Sequence, residues 1–271
     1  MRISSFKKYF QVAKTSWSGG FVYRLNFVMW RVRNVVQLIA IYFLWFAVMS
    51  RNPTAFNYST SQMLTYILGT SIIRALVFGQ RSIDAQGEIS SGDLNNYLVK
   101  PISYFRYWFS RDIADKLLNI LFSIGEITIL LFWLRPEIYL QTNPLMLVGF
   151  LLASLLAMVM YFYFSFLISM TTFWIPEENG WPQRFFIFVI LEFFSGGLFP
   201  LDILPPAVYA VLGKLPSAYF LNTPLQIYLG RLDLSQIVTS LFMMAFWIVV
   251  LRLLANRTFR KGLKIYGAYG R

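Results

Sequence analysis

The run LMLVGFLLASLLAMVMYFYFSFLISMTTFW, Leu145–Trp174, contains no charged residue. A helix rises about 1.5 Å per residue, and the hydrocarbon core of a bilayer takes about 20 apolar residues to cross. The run is long for one span and short for two, so it reads as one tilted helix that extends past the bilayer. Gly149, Ala153, Ala157, Ser165 and Ser169 recur in it at multiples of four. Small residues at that spacing let helices approach closely in lipid, within one chain or between two. The aromatic block Tyr161–Phe164 is too crowded for one face and is expected to meet lipid for the most part.

The rest of the chain is of the same kind. Of its 271 residues, 57% are hydrophobic and 13% are charged, against about 25% charged in soluble domains. A soluble fold could not hide that much apolar surface, so the chain must be solvated by lipid. The expected class is an all-α polytopic membrane protein. The net charge of +12 would suggest nucleic acid in a soluble protein. Here the basic residues stand beside apolar runs, so the expected partner is an anionic bilayer surface and not nucleic acid. There is no Cys and no His, which removes thiol nucleophiles, imidazole bases and the usual zinc sets. No Gly-x-x-x-x-Gly-Lys-Ser/Thr stretch occurs, so no phosphate-cradling loop is present. The chain is expected to be no enzyme and to hold no cofactor or metal; if ATP is used, another chain binds it.

Six spans are read: Asn34–Met49, Gln62–Gly79, Ile113–Leu134, Leu145–Trp174, Phe185–Phe199 and Leu234–Leu254. Lys and Arg are uneven across them. Residues 1–33 hold seven, 74–116 six, 175–184 one and 252–271 six, leaving only Arg51, Arg135, Lys214 and Arg231 on the opposite side. The positive-inside rule puts both termini in the cytoplasm. Within 1–33, Phe6, Tyr9, Phe10, Ala13 and Trp17 recur at helical spacing with Lys7, Lys8 and Lys14 on other faces, the pattern of a helix lying in the cytoplasmic interface. The chain reads as one transmembrane domain, 1–271.

Two segments between spans carry the functional argument. Residues 88–101, EISSGDLNNYLVKP, are polar and turn-rich. Gly92 frees the backbone, Ser90, Ser91 or Asp93 can cap a helix start, and Leu94 and Leu98 lie four apart on one face. Lys100 stands at the negative end of the helix dipole and Pro101 ends the unit. The expectation is about two turns of helix with an apolar ridge, which either fits a soluble partner or packs beneath its own bundle. Residues 195–224 are apolar but broken by Gly and Pro, including Ser195, Gly196, Gly197 and Pro200. They read as short helices dipping back into the outer leaflet, or as an apolar external loop.

Glu88, Gly92, Leu94, Leu98 and Pro101 resemble the E-x-x-x-G-x-L-x-x-x-L-x-x-P stretch of ABC-2 type transporter permeases. Ser195, Gly196, Pro200, Pro205 and Asn222-Thr223-Pro224 resemble the re-entrant region (200–224) of the same family. The basic tail Arg260–Tyr266 is similar to that of a six-span branch found as paired permeases. Asp93-Leu94-Asn95 departs from the Thr-Leu-Glu of many relatives. The resemblance implies the membrane subunit of an exporter, multi-pass in a bacterial inner or plasma membrane. It also implies a second permease, a paralogue rather than an identical copy, and separate nucleotide-binding subunits that carry ATP and Mg. Residues 88–101, with Glu88, Gly92, Asp93, Leu94, Leu98, Lys100 and Pro101, would be the ATPase-coupling helix.

Glu126 and Glu192 fall inside spans, where a charge costs about 2.5–3.5 kcal/mol on insertion scales. Each is expected to be protonated, paired or facing a cavity, and each, with Ser195, Gly196 and Gly197, is a candidate for the pathway or for helix packing. Two other functions compete: an ion-coupled carrier using Glu126 and Glu192, and a membrane-embedded lipid-modifying enzyme. The carrier lacks the internal repeats common in that class, and the enzyme lacks any clustered Asp-x-x-Asp site. The substrate is not legible.

Overall fold

The computed structural model describes residues 5–20, 24–176 and 181–267. Among these residues every regular element is helical. Helix α1 (Ser5–Gly20) precedes α2 (Arg24–Arg51) and α3 (Thr60–Val77). Two short helices, α4 (Ala85–Ser90) and α5 (Asn95–Leu98), lead into the long α6 (Tyr104–Leu134). Helix α7 (Pro144–Ser169) continues as a 3-10 turn to Phe173. Then come α8 (Trp181–Phe194), the short α9 (Pro206–Leu212) and α10 (Asn222–Tyr228), and the final α11 (Leu234–Ile265).

Helix starts follow local chemistry. Ser59 and Gln62 form a capping box at α3, and Asp233 and Gln236 form another at α11. Pro144 occupies the first turn of α7, where its missing N–H is no loss, and the Asn143 side chain accepts from Leu145 N at 2.9 Å.

Helix α7 packs against α3, α10 and α11 and lies at the centre of the bundle. Ala153, Ala157, Ser165 and Ser169 are fully buried, and Gly149 lies against Ile227 of α10 and Ile237 of α11. The small-residue stripe is therefore used within the chain. The aromatic block behaves differently from the expectation. Tyr161 and Phe162 are buried, with the Tyr161 ring 4.7 Å from Phe78 and 5.2 Å from Phe220, and Phe162 5.1 Å from Phe109. A helix with neighbours on several sides buries adjacent residues that a helix at the bundle's edge would give to lipid.

Four helices are long and apolar enough to cross a membrane among the described residues: the parts of the chain at Val28–Arg51, Tyr104–Leu134, Pro144–Phe173 and Leu234–Ile265. Helix α3 joins them if it is counted with Ser82–Ser90, to which it is bent by 50°. Helix α8 has 14 residues, about 21 Å of rise, and falls short of a full crossing alone. It stops at Phe194 and not Phe199, because Ser195–Gly197 turn out of the helix. The third and sixth spans are longer than their apolar cores suggest, since α6 begins at Tyr104 and α11 continues to Ile265. Those added turns carry charge and aromatics. Helix α1 packs along α6, with Ser103 N donating to the Tyr9 hydroxyl at 3.1 Å; the Phe6 side chain lies outside the described residues.

The extension of α11 is docked at one tight point. A Cβ at Gly262 would collide with the ring of Phe173. Gly262→Val is expected to cost about 1–3 kcal/mol through overpacking, read as a lower thermal midpoint of the detergent-purified protein. An unchanged midpoint would mean that this end of α11 does not rest on Phe173.

Candidate functional site

Residues 88–101 fold as two separate turns of helix and not as one two-turn helix. Helix α4 ends at Ser90, Gly92 has φ of 87°, and α5 begins only at Asn95. That φ is in the left-handed region, which a Cβ resists. Across the turn Leu94 N donates to Glu88 O at 2.9 Å. No side chain caps α5; Ser91 Oγ instead donates to Asp93 Oδ2 at 2.7 Å, and Asn96 Nδ2 to Asp93 Oδ1 at 3.4 Å.

The expected Leu94–Leu98 ridge is consequently split. Leu94 sits just before the helix and is fully buried among Ile89, Tyr104, Trp108 and Phe166. Leu98 is 44% exposed and the neighbouring Val99 83%. The exposed apolar edge is thus Leu98–Val99, flanked by Lys100, whose ammonium lies 5.3 Å from the Tyr97 ring centroid, and by Pro101. Glu88 lies on α4, past the break that follows α3, and Tyr104 OH donates to its Oε2 at 2.7 Å.

Three buried charged residues fix the chain that leads into this segment to the bundle. Asp112 of α6 accepts from the backbone N–H groups of Arg81 and Ser82, both at 2.7 Å. One turn on, Lys116 Nζ donates to Val77 O at 2.9 Å and to Gly79 O. Arg184 of α8 donates to Gln86 Oε1 of α4 at 2.9 Å and to Ser165 Oγ of α7 at 3.0 Å, and also bonds Ser169 Oγ. The break between α3 and α4 is thereby held by α6, and α4 is held by α7 and α8. The sequence reading counted these residues only as charge. The i, i+4 spacing of Asp112 and Lys116 was the available signal for the first two; nothing local marks Arg184.

The two intramembrane glutamates are both paired. Arg31 of α2 grips Glu126 of α6 with two bonds, Nε to Oε1 at 2.6 Å and a second from its other arm. Arg74 of α3 pairs with Glu192 of α8, which also accepts from Gln37 Nε2 at 3.2 Å. Both arginines line a cavity of about 160 Å³ between α2, α3, α6 and α8.

The Arg74–Glu192 pair abuts the start of the Gly/Pro-broken region. Arg74 donates to Gly197 O at 3.3 Å, and a Cβ on Gly197 would lie 2.8 Å from the same guanidinium. Gly196 has φ of 83°, and Tyr66 OH donates to its carbonyl at 2.8 Å. Asn222 closes the fold-back: its N–H donates to Ser195 O at 2.9 Å, and its Oδ1 accepts from Leu201 N at 2.9 Å. Ser195 is fully buried. Farther along, Asp202 accepts from Tyr58 OH at 2.7 Å, Gln226 Nε2 at 2.9 Å and Arg231 at 3.1 Å, joining the α2–α3 connection to the segment before α11. Among the described residues no group of three acidic side chains comes together as a cation site.

A family model described as "ABC-2 family transporter protein" matches residues 35–270. The chain belongs to this family. No curated protein matches it. An ABC-2 permease is a non-enzymatic, multi-pass membrane component of ABC transporters and associates with ABC ATPases and membrane lipid. In this ABC-2 permease the matched range contains the 88–101 segment, both glutamates and the Ser195–Pro224 region, whereas Trp30, Arg31 and Arg33 precede it.

Removing one partner of a buried pair strands a charge, a loss of about 3–5 kcal/mol, whereas replacing both by apolar groups is often neutral. Glu192→Leu is expected to lower the thermal midpoint of this permease strongly, and adding Arg74→Leu is expected to restore much of it. Additive losses in that double-mutant cycle would show that the two side chains act independently.

Proposed function

We propose that this ABC-2 permease is the pathway-forming subunit of an exporter in the cell membrane, bacterial inner or plasma membrane by resemblance. It would cross the bilayer six times, through α2, α3, α6, α7, α8 with its re-entrant continuation, and α11. Both termini would face the cytoplasm, as the distribution of Lys and Arg favours. The 200–224 region would then be external. A second permease, a paralogue, would complete the pathway, and separate ATPase subunits would bind ATP and Mg beneath it.

The observation that carries the reading is the mounting of the 88–101 segment. Leu98 and Val99 are exposed at its tip, while its root is fastened to α6, α7 and α8 through Asp112, Lys116 and Arg184. A push on the tip is delivered to three helices at once. Leu94 serves as the fixed foot of the lever, and Leu98 with Val99 as its contact edge. Arginine partners on both intramembrane glutamates favour a packing role for Glu126 and Glu192 over the proton exchange of an ion-coupled carrier.

The test uses the ATPase subunit that co-purifies with the tagged chain from its native membranes. Leu98→Asp/Val99→Asp is expected to reduce its capture and its stimulated ATP hydrolysis at least tenfold, with the permease's thermal midpoint unchanged. Leu94→Asp is expected to lower the midpoint itself. Full capture and full stimulation by the Leu98/Val99 variant would overturn the coupling role.

A further inference from the structure

Helix α11 carries one unbroken strip of exposed side chains. Phe242, Phe246, Val249 and Leu253 are all exposed and follow one another at steps of four, three and four residues. The same steps run on into Arg257, Arg260 and Lys264, which are exposed as well. At 3.6 residues per turn these side chains stay within about 80° of the helix circumference, and the exposed Lys261 flanks them. The opposite face is occupied. Leu251, Ala255 and Gly262 are buried, and Phe259 stacks on Tyr104 of α6 at 5.7 Å. The strip is therefore fixed outward. None of its basic residues makes an ion pair among the described residues.

We infer that this strip is a selective binding surface for anionic phospholipid, with acyl chains along Phe242 to Leu253 and phosphates on Arg257, Arg260, Lys261 and Lys264. Register is the first reason. Apolar and basic parts share one face, so a molecule lying along it meets hydrocarbon and then positive charge, the order of an anionic lipid read from tail to headgroup. Depth is the second. From Leu253 the helix rises about 6 Å to Arg257 and about 10 Å to Arg260, against a headgroup layer about 5–7 Å thick on each side. Helical side chains lean toward the N-terminus, which here is back toward Leu253. Long basic side chains can thus keep their stems on apolar surface and bring their charges to the phosphates. A guanidinium also matches a phosphodiester through two parallel N–H donors. An acidic soluble protein would account for the basic part of the strip and not for its continuation into the apolar part. The inference goes beyond the permease reading and does not depend on it.

The test is lipid retention by the full-length chain in mixed micelles of phosphatidylglycerol and phosphatidylcholine with identical acyl chains, counted by native mass spectrometry. Phosphatidylglycerol is expected to be held about twenty-fivefold more tightly, the fivefold that one basic residue gives near an anionic surface taken for two residues on one phosphate. Arg257→Gln/Arg260→Gln/Lys261→Gln/Lys264→Gln is expected to bring that preference below about threefold. Arg257→Lys/Arg260→Lys is expected to keep most of it. Lys8→Gln/Lys14→Gln/Arg51→Gln/Lys214→Gln removes the same charge elsewhere and is expected to keep all of it. Every substituted side chain is exposed, so an unchanged thermal midpoint in phosphatidylcholine alone serves as the folding control. A strip variant that keeps the preference overturns the inference; if it also loses capture of the ATPase, the face belongs to an acidic protein. An equal loss in the control variant overturns it as well, in favour of diffuse attraction. Release of the lipid by millimolar inorganic phosphate overturns it in favour of a small-anion site. No ATPase takes part in the lipid count, so failure here leaves the permease reading standing, and failure of stimulated ATP hydrolysis leaves this one standing.

Discussion

A charge buried at membrane depth must find its counter-charge inside the protein, and two such matches organise this bundle. Arg31–Glu126 ties α2 to α6, and Arg74–Glu192 ties α3 to α8. With both pairs made, four helices are held around a polar cavity that lipid would otherwise close. The second pair also sets the position of the Ser195–Gly197 turn, because the Arg74 guanidinium reaches the Gly197 carbonyl. The path of the chain after α8 is thus a consequence of where one carboxylate is neutralised.

The same economy of polar groups governs the 88–101 segment. Its flanking backbone leaves N–H and C=O groups free where α3 ends and α4 begins, and Asp112 and Lys116, one turn apart on α6, satisfy both kinds. Arg184 does the equivalent for α4 with neutral partners on α7. These are the joints of a lever whose tip alone is exposed. The aromatic packing beneath it, with Tyr104 stacked at 5.7 Å on Phe259 of α11, brings the last helix into the same assembly.

Much of this was legible in the residues. Apolar runs located the hydrophobic helices, because lipid permits no charge without cause, and the Gly/Pro punctuation of 195–224 foretold short broken helices. Glu126 and Glu192 were legible as problems that needed partners. Their partners were not, since Arg31 and Arg74 are distant in sequence and look like ordinary members of a basic flank. The split of Leu94 from Leu98 was equally out of reach. Four-residue spacing places two leucines on one face only if a helix already holds both, and the Gly92 turn starts that helix one residue too late. The ends of α6 and α11 were missed because hydropathy marks where lipid begins and not where hydrogen-bonded helix stops.

Helix α8, at 14 residues, rises about 21 Å against a hydrocarbon core of about 30 Å. In the proposed topology the missing depth is filled by α9, α10 and the turns between them, and one leaflet beside α8 is largely replaced by protein. Acyl chains packed there would then meet a locally thin membrane, and hydrophobic mismatch costs fractions of a kcal/mol for each ångström. In that topology bilayer thickness becomes a variable that acts on one helix of this bundle far more than on the others, the helix that carries Glu192 and Arg184.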